Sequence, residues 1–340
     1  MTEVSVIVPT YNRADLIEPA LRSILGQSHK PAEVIVVDDG SRDNTAAVVR
    51  QFGPAVKYLS IENSGECRAR NVGVEASSAP WVAFCDSDDL WHPDKLRLQV
   101  RLFERAPNAE YGFTNFQTVV EDHWSATTKF DTSPAGYWNL PHLQVEPGLF
   151  VIEVSMFERL LRHQPIFPST LMMKRSFFEA AGRWREPLGR TPSVDMEFHL
   201  RCVSHPPIAV VATPVVGIRK HSGNFSGDKL RTLVGEVEIL RYVLANNPVA
   251  ADYKDAIHEQ IILRSGEAAE AAFAAGQLKR TNELLKSVPH GRRSWKQTLK
   301  ALIAAVPGGM GQSLQRATVA LTRPHSALRA PRSSQPVRGA

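Results

Sequence analysis

The sequence predicts an α/β protein: a mostly parallel sheet with flanking helices, followed by an α-helical C-terminal region. Two observations predict the sheet. Over the first hundred residues, short apolar runs alternate with segments of helical period about ten residues long, which is the signature of βαβ units. Those runs are apolar at consecutive positions, as strands buried on both faces are. A third observation predicts the helical region. Residues 228–305 are rich in Ala, Leu, Glu and Lys at helical spacing and carry almost no strand signal.

Taken in order, Val4–Val8 reads as a strand closed by Pro9. Asp15 or Asn12 can cap the next helix, whose Leu16, Ile17, Ala20, Leu21, Ile24 and Leu25 form one apolar stripe. Glu33–Asp38 is a second strand, and Asp43, Asn44 and Thr45 start a helix running to about Phe52. Val56–Ser60 is a third strand, Arg68–Ala76 a helix, and Trp81–Cys85 a fourth strand. Pro93 and Asp94 open a helix to about Arg105. From about 120 to 168 the pattern breaks into scattered aromatics and prolines, an irregular insertion with one helix near Ile152–Arg162. Regularity returns with Ser169–Met173, a helix Ser176–Ala181 stopped by Gly182, and a helix Asp195–Val203. Ile208–Ala212 and Val215–Arg219 read as two strands. The divisions expected are residues 1–227, a helical region 228–306, and a basic tail 307–340 that is expected to be disordered, its end from Arg323 having nothing to bury.

At 340 residues, 43% hydrophobic and 22% charged, the chain can bury a sizeable core. Its longest apolar runs are about half a dozen residues against the roughly 18 of a membrane span. No basic, apolar leader is visible at the start, so no signal peptide is expected. Cys67, Cys85 and Cys202 lie far apart, which excludes a disulfide framework and implies a reducing cytoplasm. The formal charge of +5 suggests a polyanionic partner, but it is unevenly spread. From Leu284 onward there are ten Lys or Arg and no acid, so residues 1–283 carry 30 bases against 35 acids.

In an open parallel sheet, ligands bind beyond the carboxyl ends of the strands. The segments there are Pro9-Thr10-Tyr11-Asn12-Arg13, Asp38-Asp39-Gly40-Ser41, Glu62-Asn63-Ser64-Gly65 and Asp86-Ser87-Asp88-Asp89. Crowded carboxylates of this kind suit a hard cation such as Mg²⁺ or Mn²⁺ that also takes phosphate oxygens. The alternative is a helix N-cap, since Asp favours helix starts. Asp38-Asp39 at the neighbouring strand end favours the cation.

These segments, with Ala69-Arg70-Asn71-x-Gly73, occur in an order and spacing that resembles family 2 glycosyltransferases of the GT-A fold. The resemblance is strong over residues 3–120 and weaker over 121–225. It implies a GT-A, Rossmann-like nucleotide-sugar-binding domain over 1–227 with its acceptor side near 120–168. It also implies a metal-assisted, inverting transfer of one sugar from a nucleoside diphosphate sugar, UDP-sugar foremost, to an acceptor hydroxyl. By the same resemblance Asp39 reads the nucleobase, against which Pro9, Thr10 and Tyr11 pack. Asp86 lies near the ribose, and Asp88, with Asp89, holds Mn²⁺ or Mg²⁺ on the diphosphate. Arg68 and Arg70 stand at the pocket lip, where one contacts phosphate or both lie on a solvated helix face. Asn71 and Gly73 shape the turn.

In Pro192-Ser193-Val194-Asp195-Met196-Glu197, Asp195 aligns with the family's general base and Glu197 with a frequent downstream acid; the alternative for Asp195 is an N-cap. Val194 stands where the family commonly has Glu, which removes a like charge that would raise the base's pKa. That departure keeps a second reading open, a catalytically inactive sugar-nucleotide-binding scaffold. Arg219-Lys220-His221-Ser222-Gly223-Asn224 resembles the family's closing segment, making His221 either a metal neighbour or a solvated loop residue. The Gln-x-x-Arg-Trp segment of processive synthases is missing, so a single addition is expected, to a glycan or lipid-linked acceptor in bacterial envelope or exopolysaccharide synthesis.

Other classes fit poorly. The first strand turn lacks G-x-G-x-x-G, no G-x-x-x-x-G-K-[ST] exists, and Gly308-Gly309-Met310-Gly311 follows a helix rather than a strand. No nucleic acid partner is expected, the pI being its only motive. Trp295–Val306 can instead form a basic amphipathic helix resting on the anionic inner face of the cytoplasmic membrane, or a packing helix with a solvated tail.

Overall fold

The computed structural model describes residues 2–221 and 227–322. Contacts divide the chain into two units, the first ending at Ile261 and the second beginning at Ile262.

The first unit contains β1 (Val4–Thr10), α1 (Ile17–Leu25), β2 (Glu33–Asp38), α2 (Thr45–Arg50), β3 (Lys57–Ser60), α3 (Glu66–Glu75), β4 (Trp81–Phe84), β5 (Leu90–Trp91) and α4 (Lys95–Arg105). It continues through β6 (Tyr111–Val120), β7 (His123–Thr128), β8 (His142–Glu146), β9 (Leu149–Ile152), α5 (Phe157–Arg162), β10 (Met172–Lys174), α6 (Arg175–Ala180), α7 (Asp195–Cys202), β11 (Ile208–Lys220), α8 (Lys229–Asn246) and the start of α9 (Lys254–Ala274). The strands form one 11-stranded sheet in the order β3-β2-β1-β4-β10-β6-β11-β9-β8, with β5 on β11 and β7 on β6.

The α/β class stands, and the sheet is mixed. β3, β2, β1 and β4 run parallel, as do β6 and β11, while β10 enters antiparallel between β4 and β6. Both faces are covered, as the consecutive apolar residues require. Ile7, Ile35 and Val37 join one core with Phe84, Phe198 and Leu240. Val6, Val8, Val34 and Val36 join the other with Leu21, Leu96 and Phe103. A Cβ on Gly73 would come within 2.3 Å of Ile7 Cγ2, so the glycine lets α3 lie directly on β1.

The structure departs from the sequence reading in four places. Tyr111–Val120, given no element above, is the long strand β6 beside β11. The insertion holds three strands besides its helix: β7 and the hairpin β8–β9. The two runs after residue 208 are one strand, β11, whose register shifts around Pro214 because proline cannot donate to the ladder. Neither Asp15 nor Asn12 caps α1, whose N-cap is Leu16 with no side-chain bond.

Val237, Ile239, Leu240 and Val243 of α8 lie in the first unit's core. The division at Ile261/Ile262 therefore falls well beyond residue 227.

The second unit contains the rest of α9, α10 (Leu278–Leu285), α11 (Trp295–Ala305) and α12 (Gly308–Thr322). Ser294 starts α11 with a capping box closed by Gln297. Gln315 of α12 is buried and donates from Nε2 to Phe273 O at 2.7 Å. The disorder expected over 307–340 does not hold for residues 308–322, which are helical and anchored through Gln315, and the rest, from Arg323, lies outside the described residues.

Candidate active site

The register of the parallel strands brings their carboxyl ends to one edge: Thr10 lies opposite Asp38, and Asp38 opposite Ser60. The loops that follow are tied together. Asp39 N–H donates to Thr10 O at 2.9 Å, Asn12 N–H to Ser41 Oγ at 2.8 Å and Arg42 N–H to Asn12 Oδ1 at 2.8 Å. Asn12 adopts φ 51° to make both of its bonds, a conformation asparagine tolerates better than most residues. Pro9 and Thr10 are buried beneath this turn, and Tyr11 is exposed above it.

Asp38 and Asp39 do different work. Asp38 accepts from Ser41 N–H at 2.7 Å and from Tyr58 Oη at 2.7 Å, which fixes its own turn. Asp39 accepts from Ser64 N–H at 2.7 Å and Gly65 N–H at 2.9 Å, with Asn63 Nδ2 at 3.3 Å. Three of a carboxylate's roughly four acceptor positions are therefore used inside the protein, and about one remains for a ligand N–H. Gly65 has φ 93°, and a Cβ there would lie 2.7 Å from Gly189 O, so the segment before α7 crosses this loop at backbone contact distance. Arg190 adds bonds from Nη2 to Asn63 O at 2.9 Å and Asn63 Oδ1 at 3.0 Å.

The three aspartates after β4 diverge. Asp86 Oδ1 lies 2.8 Å from Arg70 Nη2. Burial raises its pKa, with Glu66 and Asp88 adding to that rise while Arg70 opposes it. Asp88 Oδ2 lies 3.0 Å from His221 Nε2 and 3.7 Å from Arg13 Nε, and its carbonyl accepts from Arg219 Nε. Asp89, expected beside Asp88 on a metal, is instead buried: Oδ2 accepts from Ser169 Oγ at 2.5 Å and Oδ1 from Arg219 N–H at 3.2 Å. Burial and its two acidic neighbours push its pKa well up. Its two bonds hold the turn and leave about two of its acceptor positions open.

Ser169 is the residue that sequence reasoning missed. Its Oγ also accepts Asp86 N–H at 2.9 Å, so one hydroxyl links both ends of the acidic turn. Its carbonyl and the next two are each held by a buried side chain: Trp91 Nε1 at 3.0 Å, Gln99 Nε2 at 3.1 Å and Lys95 Nζ at 3.3 Å. Burial lowers the Lys95 pKa to about 7. No local motif marks Ser169, which lies 80 residues from Asp89.

The two arginines of α3 part company. Arg68 points to Glu186, with Nη1 3.2 Å from Oε1, and is half exposed. Arg70 is buried, with Nη2 between Glu66 Oε2 at 2.9 Å and Asp86, and its guanidinium 4.7 Å from the Trp184 ring. Its Nε and Nη1 are buried and have no hydrogen-bond partner among the described residues. Asn71 clamps the following segment, donating to Trp184 O at 3.0 Å and Glu186 Oε1 at 2.9 Å, as a turn-shaping residue should.

Asp195 is the first residue of α7, whose N-cap is Val194 with no side-chain cap bond, and its own carboxylate takes a backbone hydrogen bond from Met196. Its pKa is pushed up to about 7, first by burial and then by Glu66 and Asp86, with Arg70 opposing. Ser193 just before it has φ 62°. Val194 lies in the apolar core beside Phe198, where an acid would be buried. Glu197 is buried and held in two contacts of 2.7 Å by Arg201, away from any opening. One turn on, His199 is fully buried, and burial and Arg70 lower its pKa to about 3, so it is neutral behind the carboxylate.

Among the described residues, no group of three or more His, Cys, Asp or Glu could hold a metal by itself. What the structure offers is a pair, Asp88 and His221, a carboxylate oxygen and an imidazole nitrogen 3.0 Å apart. Such a donor set suits Mn²⁺ or Mg²⁺ when phosphate oxygens and water complete the shell. Ser222, Gly223 and Asn224, the rest of the closing segment, lie outside the described residues.

Comparison with known proteins bears on this arrangement. The description "Glycosyl transferase family 2" matches residues 5–167. The putative teichuronic acid biosynthesis glycosyltransferase TuaG of Bacillus subtilis is 41% identical over 123 residues, 35% of this chain and 48% of TuaG. Succinoglycan biosynthesis protein ExoO of Rhizobium meliloti is 42% identical over 109 residues, 32% of this chain and 30% of ExoO. The chain thus spans half or less of these relatives, and about a fifth of three rickettsial glycosyltransferases that also match. Among solved structures, S. aureus TarS 1-349 in complex with UDP-GlcNAc superposes with TM-score 0.61 at 18% identity, over 93% of this chain and 88% of that TarS fragment. The Pyrobaculum calidifontis mannosyltransferase PcManGT with GDP-Man and Mn²⁺ gives 0.53 at 20%, over 95% and 82%. At such identities these are likenesses of fold. Residues 5–167, just under half of the chain, thus match glycosyl transferase family 2, and the fold is one that solved glycosyltransferases share.

Proposed function

We propose that the chain is an inverting, non-processive glycosyltransferase. It moves one sugar from a nucleoside diphosphate sugar, UDP-sugar foremost, to an acceptor hydroxyl in bacterial polysaccharide or envelope glycan assembly. The observation that carries the reading is Asp195, a carboxylate with a pKa near 7 at the head of α7. It shares its electrostatic neighbourhood, Glu66, Arg70 and Asp86, with the acidic turn after β4. A general base works best with a pKa near the operating pH. The relatives in teichuronic acid and succinoglycan biosynthesis and the fold neighbour bound to UDP-GlcNAc support the substrate class.

In this reading Asp39 accepts a nucleobase N–H with its remaining lone pair, and the Pro9–Tyr11 turn packs against the base. Asp86, oriented by Arg70, meets the ribose. Asp88 and His221 would hold a divalent cation, which when bound neutralises charge on the departing diphosphate. Asp195 takes the acceptor hydroxyl proton as that oxygen bonds to the anomeric carbon from the face opposite the departing diphosphate. The bond from that carbon to the diphosphate breaks, and its electron pair leaves with the nucleoside diphosphate. A neutral His199 behind the carboxylate offers no competing positive charge.

The test is a screen of UDP-, GDP- and dTDP-sugars with Mn²⁺, reading thermal shift and donor hydrolysis. At least one donor should stabilise the protein and be hydrolysed slowly, with both effects lost in EDTA and in Asp88→Ala. Binding without hydrolysis or transfer to any acceptor would favour the scaffold reading, which Val194 motivates.

A further inference from the structure

We propose that α11 and α12 of the second unit form a docking face for an anionic lipid bilayer. On α11, Trp295, Leu299 and Leu302 are 72%, 41% and 65% exposed. Their i, i+4, i+7 spacing puts them on one stripe. On α12, Met310, Leu314 and Leu321 form a second stripe and are exposed by 65%, 44% and 87%. The buried positions of these helices lie elsewhere, at Ile303 on α11 and at Gly311 and Gln315 on α12. Each helix therefore shows a stripe of three large apolar residues to solvent, where an ordinary surface helix shows polar ones. Apolar area displayed in this way marks an interaction face.

Charge selects the partner. From Leu284 to the C-terminus the chain holds ten Lys or Arg and no Asp or Glu, while residues 1–283 carry an acidic excess. The basic excess and the exposed apolar stripes thus occupy the same stretch. A helix that combines Trp and Leu with lysine and arginine suits a headgroup region, where cations meet anionic lipid and apolar side chains enter the acyl boundary. A second copy of this chain would set two basic segments against each other, which like-charge repulsion opposes. A nucleic acid would meet the cations and leave the leucines wet. Among the described residues no helix is long and apolar enough to cross a membrane, so the contact is one of lying on the surface. The inference does not depend on the reaction proposed above.

The test is sedimentation of the full chain with phosphatidylcholine vesicles, with and without phosphatidylglycerol. Binding should require phosphatidylglycerol and weaken as salt screens the charges. A Leu299→Glu, Leu302→Glu, Leu314→Glu variant with parental circular dichroism should lose about tenfold or more in partition. Should that variant not fold, Lys296→Glu with Arg316→Glu keeps the apolar stripes and should also release the protein. Full chain left in the supernatant overturns the proposal, as does binding indifferent to phosphatidylglycerol or to both variants. So would capture of an oligonucleotide without vesicle binding, or a lipid-independent dimer lost in the same variants.

Discussion

The acid pair after β2, Asp38 and Asp39, and the carboxylate of α7 are treated in opposite ways. Asp38 and Asp39 are buried and supplied with two or more donors each, mostly backbone N–H groups and a hydroxyl. Asp195 heads its helix with no cap bond, among acids, and its pKa rises. The first region spends its charges on holding loops still; the second leaves a carboxylate with a single backbone bond, from Met196, among acids and able to take a proton. Preorganised binding and proton transfer ask for these two treatments.

The sharpest way to break the comparison is Asp195→Asn. Transfer should fall by about 10²–10⁴-fold, the usual worth of a general base, while donor affinity by calorimetry changes little. Parallel loss of donor affinity would put Asp195 on the donor side instead. The pH profile follows from the same group. The base acts only when ionised, so with a pKa near 7 the transfer rate should fall about tenfold per unit below pH 7. An ordinary aspartate would hold its rate down to about pH 5.

On the saturated side, Asp39→Ala strips partners from the N–H groups of Ser64 and Gly65. Each buried donor left unpaired costs about 1–3 kcal/mol, readable in urea denaturation, and UDP affinity should fall with it. Ser169→Ala removes a hydroxyl linking Asp86 and Asp89, with a smaller loss of about 1 kcal/mol and weaker Mn²⁺-dependent donor binding. Arg68→Ala should do least. Its pairs are exposed, worth about 0–1 kcal/mol, and donor affinity should stay within about twofold by calorimetry. A large effect there would restore Arg68 as a phosphate contact.

Much of this was legible in the sequence. Apolar runs flush on both faces specified β1, β2 and β4, and with them the edge where the acids collect. β6 escaped because Tyr-Gly-Phe-Thr-Asn-Phe-Gln-Thr mixes polar and apolar residues, and its burial comes from neighbours distant in sequence. Which of three adjacent aspartates turns inward is set by Ser169 and Arg219, 80 and 130 residues away, and no local pattern encodes that. The composition change at 227 misses the contact boundary for a similar reason: α8 is helical in period but apolar toward the sheet's core.

The meeting of Gly65 and Gly189 has a practical consequence for anyone regrafting specificity. Backbone contact between the loop that Asp39 holds and the approach to α7 leaves no room for a side chain at position 65, and Arg190 is bonded across the same seam. A loop exchanged at 62–65 alone would arrive without its counterpart. The transplantable module is discontinuous, residues 62–65 together with 184–190, and chimeras cut between them should be poorer than chimeras that carry both.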